Sequence, residues 1–335
     1  MNHVPWTEID NFHTVRKTLM TYPHLLGESG SNVRYRAKVK LHGTNAGVKV
    51  SRDGTVAAMS RTEMITPEAD NHGFARWLAS DARAAKFREC ALTDLDICIY
   101  GEWCGPGIQK GVAVCALPEK IFAVFAVRIL NDEGTASFIT EPASLKGFLD
   151  DIPGVHIIPW FEDGTSVTVD WSAEAETLAP VIDQVNKWVM AVEECDPWIE
   201  QTFGIKGVGE GLVFYPESAS YKLFKNVCFK AKGDKHKTVA HTKPAQADPT
   251  VVASLEAFAE LVITEARCEQ GVRLLNAGEL IFDMGHIGAF LKWIGVDVAK
   301  ETQFELEASG LDPKLAAKAC STRAREWFIP QAKKL

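Results

Sequence analysis

The chain has 335 residues, 46% of them hydrophobic and 24% charged, a balance that excludes disorder, collagen-like repeats and coiled coils and leaves room for a substantial core in one large or two smaller domains. Its 36 basic and 44 acidic residues give a net charge of −8, which offers no global attraction for nucleic acid or an anionic membrane. No apolar run is long enough to cross a bilayer, the N-terminus lacks the basic and apolar regions of a secretory signal, and the eight cysteines form no CxxC pair; together these predict an intracellular, cytoplasmic protein with reduced thiols and no structural zinc.

Residues 34–60 alternate as strands do, in RYRAKVKL, NAGVKVS and TVAAMS, with Arg52-Asp53-Gly54 as hairpin turn chemistry. Residues 71–88 switch to helical spacing, with Phe74, Trp77, Leu78, Ala82 and Ala85 on one face. Strand patterns return at 96–102 and 120–129, and a helix is predicted over 179–194 with Pro180 in its first turn. Three short strands are predicted at 210–215, 220–225 and 227–232, so the first 240 residues read as α+β with mainly antiparallel sheets. The polar segment 231–249 suits a linker. Beyond it, Asp248-Pro249 and Asp312-Pro313 are helix starts, Leu255, Phe258, Val262 and Ala266 form one face, and Pro330 is expected to stop the last helix. The predicted domains are 1–240, a linker over 241–248, and a small all-helical domain over 249–335.

The sharpest local feature is Lys40-Leu41-His42-Gly43-Thr44-Asn45, where one strand ends and the next begins. Taken singly, a K-x-x-G is common, Phe125 in IFAVFAV reads as core, Glu102 and Glu210 read as solvated strand ends, and Arg61 as a surface ion-pair partner. Order changes this reading. Downstream of the lysine, each at a strand end or inside a strand, follow Ser60-Arg61, Tyr100-Gly101-Glu102, Phe125, Glu210-Gly211-Leu212-Val213 and Lys230-Ala231-Lys232.

This series resembles the covalent nucleotidyltransferases, the superfamily of ATP-dependent ligases and mRNA capping enzymes, and within it the RNA ligase 2 family, whose nucleophile motif reads K-x-H-G-T-N. The resemblance spans residues 35–235 and implies a nucleotidyltransferase (ATP-grasp-like ligase) domain of antiparallel sheets with flanking helices, followed by a helical domain that engages nucleic acid. It implies that Lys40 forms a covalent lysyl-AMP, Glu102 binds the ribose hydroxyl, Arg61 and Asn45 contact ribose or phosphate, and Phe125 stacks on adenine. Val39 joins this ATP-binding set. Glu210 would hold a metal ion through water, Lys230 and Lys232 would bind the α-phosphate, and His42 would act after the lysine is charged. ATP and Mg²⁺, with Mn²⁺ as a substitute, are the implied cofactors. The family usually has an acidic residue directly after the stacking aromatic; here that position is Ala126.

The chemistry accounts for the residue types. A lysine that attacks an α-phosphate must be neutral, although its ordinary pKa is about 10.4, and neighbouring positive charge lowers that value. Lys230 and Lys232 lie two apart on a strand and share a face. In the helical domain, Lys314, Lys318 and Arg325 fall near one face of the last helix, where they could meet phosphates. The resemblance implies an RNA ligase (ATP) joining 3′-hydroxyl and 5′-phosphate ends at nicks in duplex RNA or an RNA–DNA hybrid, in a monomer. A DNA ligase or capping guanylyltransferase is disfavoured by His42 and the helical C-terminal part; a non-catalytic RNA-binding module is disfavoured by the intact lysines and glutamates. From Lys222 to Lys243 seven lysines stand against one acid, Asp234, so a local basic strip offsets the negative total.

Overall fold

The computed structural model describes residues 2–130, 136–149, 151–217, 221–233, 255–276, 279–302, 306 and 311–333. The chain divides into two compact units, Met1–Gly233 and Asp234–Leu335. The segment 241–248, the Asp248-Pro249 start signal, and Lys235, Lys237 and Lys243 of the basic strip lie outside the described residues. No helix among the described residues is long and apolar enough to cross a membrane.

Two sheets build the first unit. One has five strands, β1 (Asp10–Asn11), β2 (Asn32–Lys40), β10 (Ser166–Asp170), β11 (Gly211–Pro216) and β12 (Phe229–Lys232), in the order β1-β12-β11-β2-β10. The other has seven: β3 (Thr44–Val50), β4 (Val56–Ser60), β5 (Met64–Ile65), β6 (Asp96–Cys104), β7 (Ile121–Leu130) and β8 (Ala136–Ile139) run β5-β4-β3-β6-β7-β8, and β9 (Val155–Ile157), which follows the helix α4 (Pro142–Leu149), pairs with β7. Apart from β1 with β12 and β7 with β9, the pairs are antiparallel, as the alternation predicts.

Along β2, the period of two puts Val33, Tyr35, Ala37 and Val39 into the core and turns Arg34, Arg36, Lys38 and Lys40 to the opposite face. The core behind this sheet is closed by α5 (Ala175–Glu194), with Trp188, Val189 and Val192 buried. Phe214 and Phe229 stack across neighbouring strands at 4.5 Å. Ahead of β2, α1 (Phe12–Thr21) is capped by Asn11, whose side chain accepts from the Thr14 N–H at 2.8 Å.

Several elements differ from their sequence pattern. Residues 71–88 form two helices, α2 (Phe74–Leu78) and α3 (Asp81–Glu89), because Ser80 is extended and restarts the helix as its cap residue. Of residues 220–225, expected as a strand, residue 220 lies outside the described residues and 221–225 belong to the helix α7 (Tyr221–Val227); Phe224 and Val227, three apart, are both buried, a spacing a strand would split between faces. The helix predicted from 179 starts at Ala175. Between α5 and β11 stands α6 (Pro197–Phe203).

In the second unit α8 (Leu255–Val262) and α9 (Glu265–Leu275) are separate, since the Thr264 hydroxyl caps α9 and puts Ala266 in the second helix. With α10 (Ile287–Glu301) and α11 (Pro313–Ala332) they bury Phe258, Cys268, Phe290, Ile294 and Phe328. Asp312 caps α11 as predicted, but Pro330 does not end it: the helix continues to Ala332, because a proline in the last turn removes a bond that the frayed end barely needs.

Candidate active site

Lys40 is the last residue of β2, and Leu41, His42 and Gly43 carry the chain from one sheet to the other, where β3 starts at Thr44. The turn leaves no room for a side chain at Gly43: a Cβ there would run into the Trp103 carbonyl and the Cys104 Cβ. Its N–H instead donates to Glu102 Oε1 at 2.9 Å, and its carbonyl accepts from Gln109 Nε2 at 3.2 Å. Glu102, on β6, stands opposite Asn45 of β3. The crossing chain therefore brings the lysine of one sheet to the carboxylate of the other.

Glu210 immediately precedes β11, the strand beside β2. Gly211 pairs with Lys40 on one side and Lys232 on the other, so these two lysines flank the glutamate. The Glu210 carbonyl accepts from the Gly233 N–H at 3.0 Å, which fixes the backbone. Its carboxylate is 3% exposed. Oε2 lies 2.7 Å from Lys40 Nζ and 3.6 Å from His42 Nδ1, and Oε1 lies 3.4 Å from Lys232 Nζ.

The charges set one another's protonation. For Glu210, burial alone would raise the pKa, but Lys40, Lys232 and His42 outweigh it and hold the carboxyl well below the usual range. For Lys40, burial would lower the pKa, yet Glu210 and Glu102 overcome both it and the opposing charge of Arg61, and the ammonium is held above its ordinary value. Glu102 is pushed up to about 7, first by burial and further by Glu210, against the pull of Lys40 and the Gly43 N–H.

Five predicted site residues thus converge: Lys40, His42, Glu102, Glu210 and Lys232, with Asn45 across from Glu102. Lys230 shares the Lys232 face one row along, opposite Val213 and level with Lys38. Arg61, just past β4, is exposed and lies 3.8 Å from Glu8. Phe125 sits at a bulge in β7, where Val124 pairs with Gly101 and Ala126 with Tyr100, and its ring lies 5.1 Å from that of Trp6. Ala126 is fully buried. Val39 turns the other way, into the core and a cavity of about 290 Å³ behind β2 that Trp160 and Trp198 also line, so its side chain is not in the Lys40 cluster. Lys314, Lys318 and Arg325 are exposed on α11.

The sequence reading missed Lys38, Trp6 and Gln109. For Lys38 the signal was present as the basic alternation Arg34, Arg36, Lys38, Lys40. For Gln109 the signal was its place in the loop Trp103–Lys110 that follows Glu102, which resembles the family's loop after that glutamate; for Trp6 nothing local pointed to the site, since it reaches it from a segment without strand or helix periodicity.

A lysine at a strand end thus stands beside the Glu210 carboxylate where the chain crosses between the two sheets. A family model described as RNA ligase matches residues 33–232, more than half of the chain, and the protein belongs to that family. Solved structures similar to this chain include Naegleria gruberi RNA ligase as an apo point mutant (18% identity, TM-score 0.44), the same ligase with PPi (18% identity, TM-score 0.43), and another point mutant with ATP and Mn (16% identity, TM-score 0.43). Each match covers 69% of this chain, and 56%, 56% and 55% of the respective ligase chains, so this chain spans little more than half the length of those structures.

Proposed function

We propose that the protein is an ATP-dependent RNA ligase acting through a lysyl-AMP on Lys40, and that its substrate is a nick in duplex RNA or an RNA–DNA hybrid. The observation that carries this reading is the Lys40–Glu210–Lys232 cluster at the crossing between the sheets. In the first step the Lys40 amine attacks the α-phosphorus of ATP; an N–P bond forms and the P–O bond to pyrophosphate breaks. AMP then passes to the 5′-phosphate of RNA, and a 3′-hydroxyl displaces it.

Lys40 as it stands cannot attack, because its ammonium is held charged by Glu210. The proton must leave before the N–P bond forms, and loosening the contact with Glu210 is what this site needs for that. Lys232 competes for the same carboxylate from the other side and, with Lys230, faces where phosphate oxygens would collect. Glu102, held by Gly43, has an oxygen free to accept from a ribose hydroxyl.

The donor set fits a divalent cation that arrives with the nucleotide. Among the described residues no three His, Cys, Asp or Glu side chains gather to hold a metal alone, so Glu210 would share it with phosphate oxygens and water, the coordination that Mg²⁺ favours. Bound there, it would supply positive charge against the phosphate oxygens. The Naegleria ligase structures with ATP and Mn support the same choice of donor and metal class.

Incubation with α-labelled ATP and Mg²⁺ tests the reading. The chain is expected to take up covalent label, and Lys40→Ala to take up none. Label that survives the substitution, or no label on the intact chain, refutes it.

A further inference from the structure

Lys38 has no part in the proposed chemistry, yet it is among the costliest side chains in the first unit to bury. It is 1% exposed. It stands two residues before Lys40 on β2 and hence on the same face, roughly 6.5 Å along the strand. An ammonium has three N–H donors. One is matched, by the Phe125 carbonyl at 2.9 Å, and the group lies 4.9 Å from the centre of the Trp160 ring. Among the described residues no carboxylate forms an ion pair with it: Glu141, whose charge acts on it, is bonded to Arg36 and Trp160 instead, at 2.9 Å each. Burial pushes the Lys38 pKa down to about 7, and the amine keeps N–H donors in either protonation state.

Its position gives the unmatched donors a target. The bulge at Phe125 frees that residue's carbonyl from the sheet ladder, and Lys38 takes it, so the amine and the Phe125 ring are fixed to one point of β7. Were the α-phosphate at Lys40 and the base on Phe125, the ribose would span one strand repeat and the edge of the base would come level with Lys38.

We propose that Lys38 is a specificity-determining residue of the donor nucleotide site, donating a hydrogen bond to an acceptor nitrogen on the edge of the purine. This rests on the function proposed above. An apolar side chain of similar length would pack the same space at lower cost, but it would not distinguish one purine edge from another.

The test compares α-labelled ATP with its 1-deaza, 3-deaza and 7-deaza analogues as donors for lysyl-nucleotide formation by the full chain. In the wild-type protein one deletion is expected to raise KM about tenfold or more at nearly unchanged kcat, the loss of a charge-assisted hydrogen bond, while the others change little. Lys38→Met is expected to raise the KM for ATP to that of the sensitive analogue and so abolish the difference; Lys38→Gln, which keeps an N–H donor, guards against a variant that fails to fold and is expected to retain part of it. Indifference of the wild-type protein to all three deletions overturns the proposal, as does full discrimination in either folded variant lacking the ammonium. Both outcomes leave Lys40 labelling by ATP intact, whereas no labelling by any donor would remove the functional reading and Lys38's role together.

Discussion

At the scale of single residues, the site holds its charges in a balance that costs stability. Glu102 is the clearest case, since its folded pKa of about 7 lies above the ordinary carboxylate value of 4.5. Between those values the folded protein keeps a proton that the unfolded chain releases. The group's penalty is therefore absent below about pH 4.5, grows as the pH rises, and is complete above about pH 7. Glu102→Gln is expected to stabilise the protein at pH 8 by about 1–3 kcal/mol and to change little at pH 4.5, read as the melting temperature by circular dichroism at the two pH values. The same substitution should slow lysyl-AMP formation at pH 8, because the ribose loses its carboxylate acceptor. A gain over wild type no larger at pH 8 than at pH 4.5 would contradict the balance. Much of this site was legible in the sequence because its residues sit at strand ends, where the motif order survives as spacing. The pairing of Lys40 with Glu210 was not, because 170 positions separate them and only the sheet register brings Gly211 beside Lys40.

At the scale of elements, the site is a product of strand pairing. Gly211 shows how little slack the pairing has: its φ is +147°, and a Cβ there would meet the Ala231 carbonyl and the Lys232 Cα. Gly211→Ala must push β12 away from β11 and carry Lys232 off Glu210. We expect a loss of about 2–4 kcal/mol in urea unfolding and a drop in lysyl-AMP formation larger than that of an Ala substitution at exposed Lys206. An unchanged rate in a folded Gly211→Ala would show that this close approach does not set the site. The alternating runs of β2, β3, β4, β6 and β7 could be read from the sequence because each buries one face or both. The helix α7 could not, since the aromatic and apolar residues of YKLFK favour a strand by composition, and the burial of Phe224 and Val227, three apart, appears only once the chain is folded.

At the scale of the whole molecule, every residue of the Lys40 cluster belongs to the first unit, and the second has a core of its own around Phe290 and Phe328. A chain ending near Ala245 is therefore expected to keep self-adenylylation within about threefold of the full chain, a change of under about 1 kcal/mol in the barrier, and to lose sealing of a nicked RNA duplex. Equal loss of both steps in a folded truncation would refute this division. The net charge of −8 is a total over both units and does not by itself exclude a local attraction for RNA.

The crossing at Leu41, His42 and Gly43 makes the nucleophile an axle between two arms. Arg61, Phe125 and Glu102 ride on one arm, Glu210 and Lys232 on the other, and AMP joined to Lys40 would be fastened at the pivot. On the function proposed above, a relative movement of the two arms would change which side chains face the tethered phosphate without breaking the bond that holds it, so that one site would serve both the charging of the lysine and its discharge.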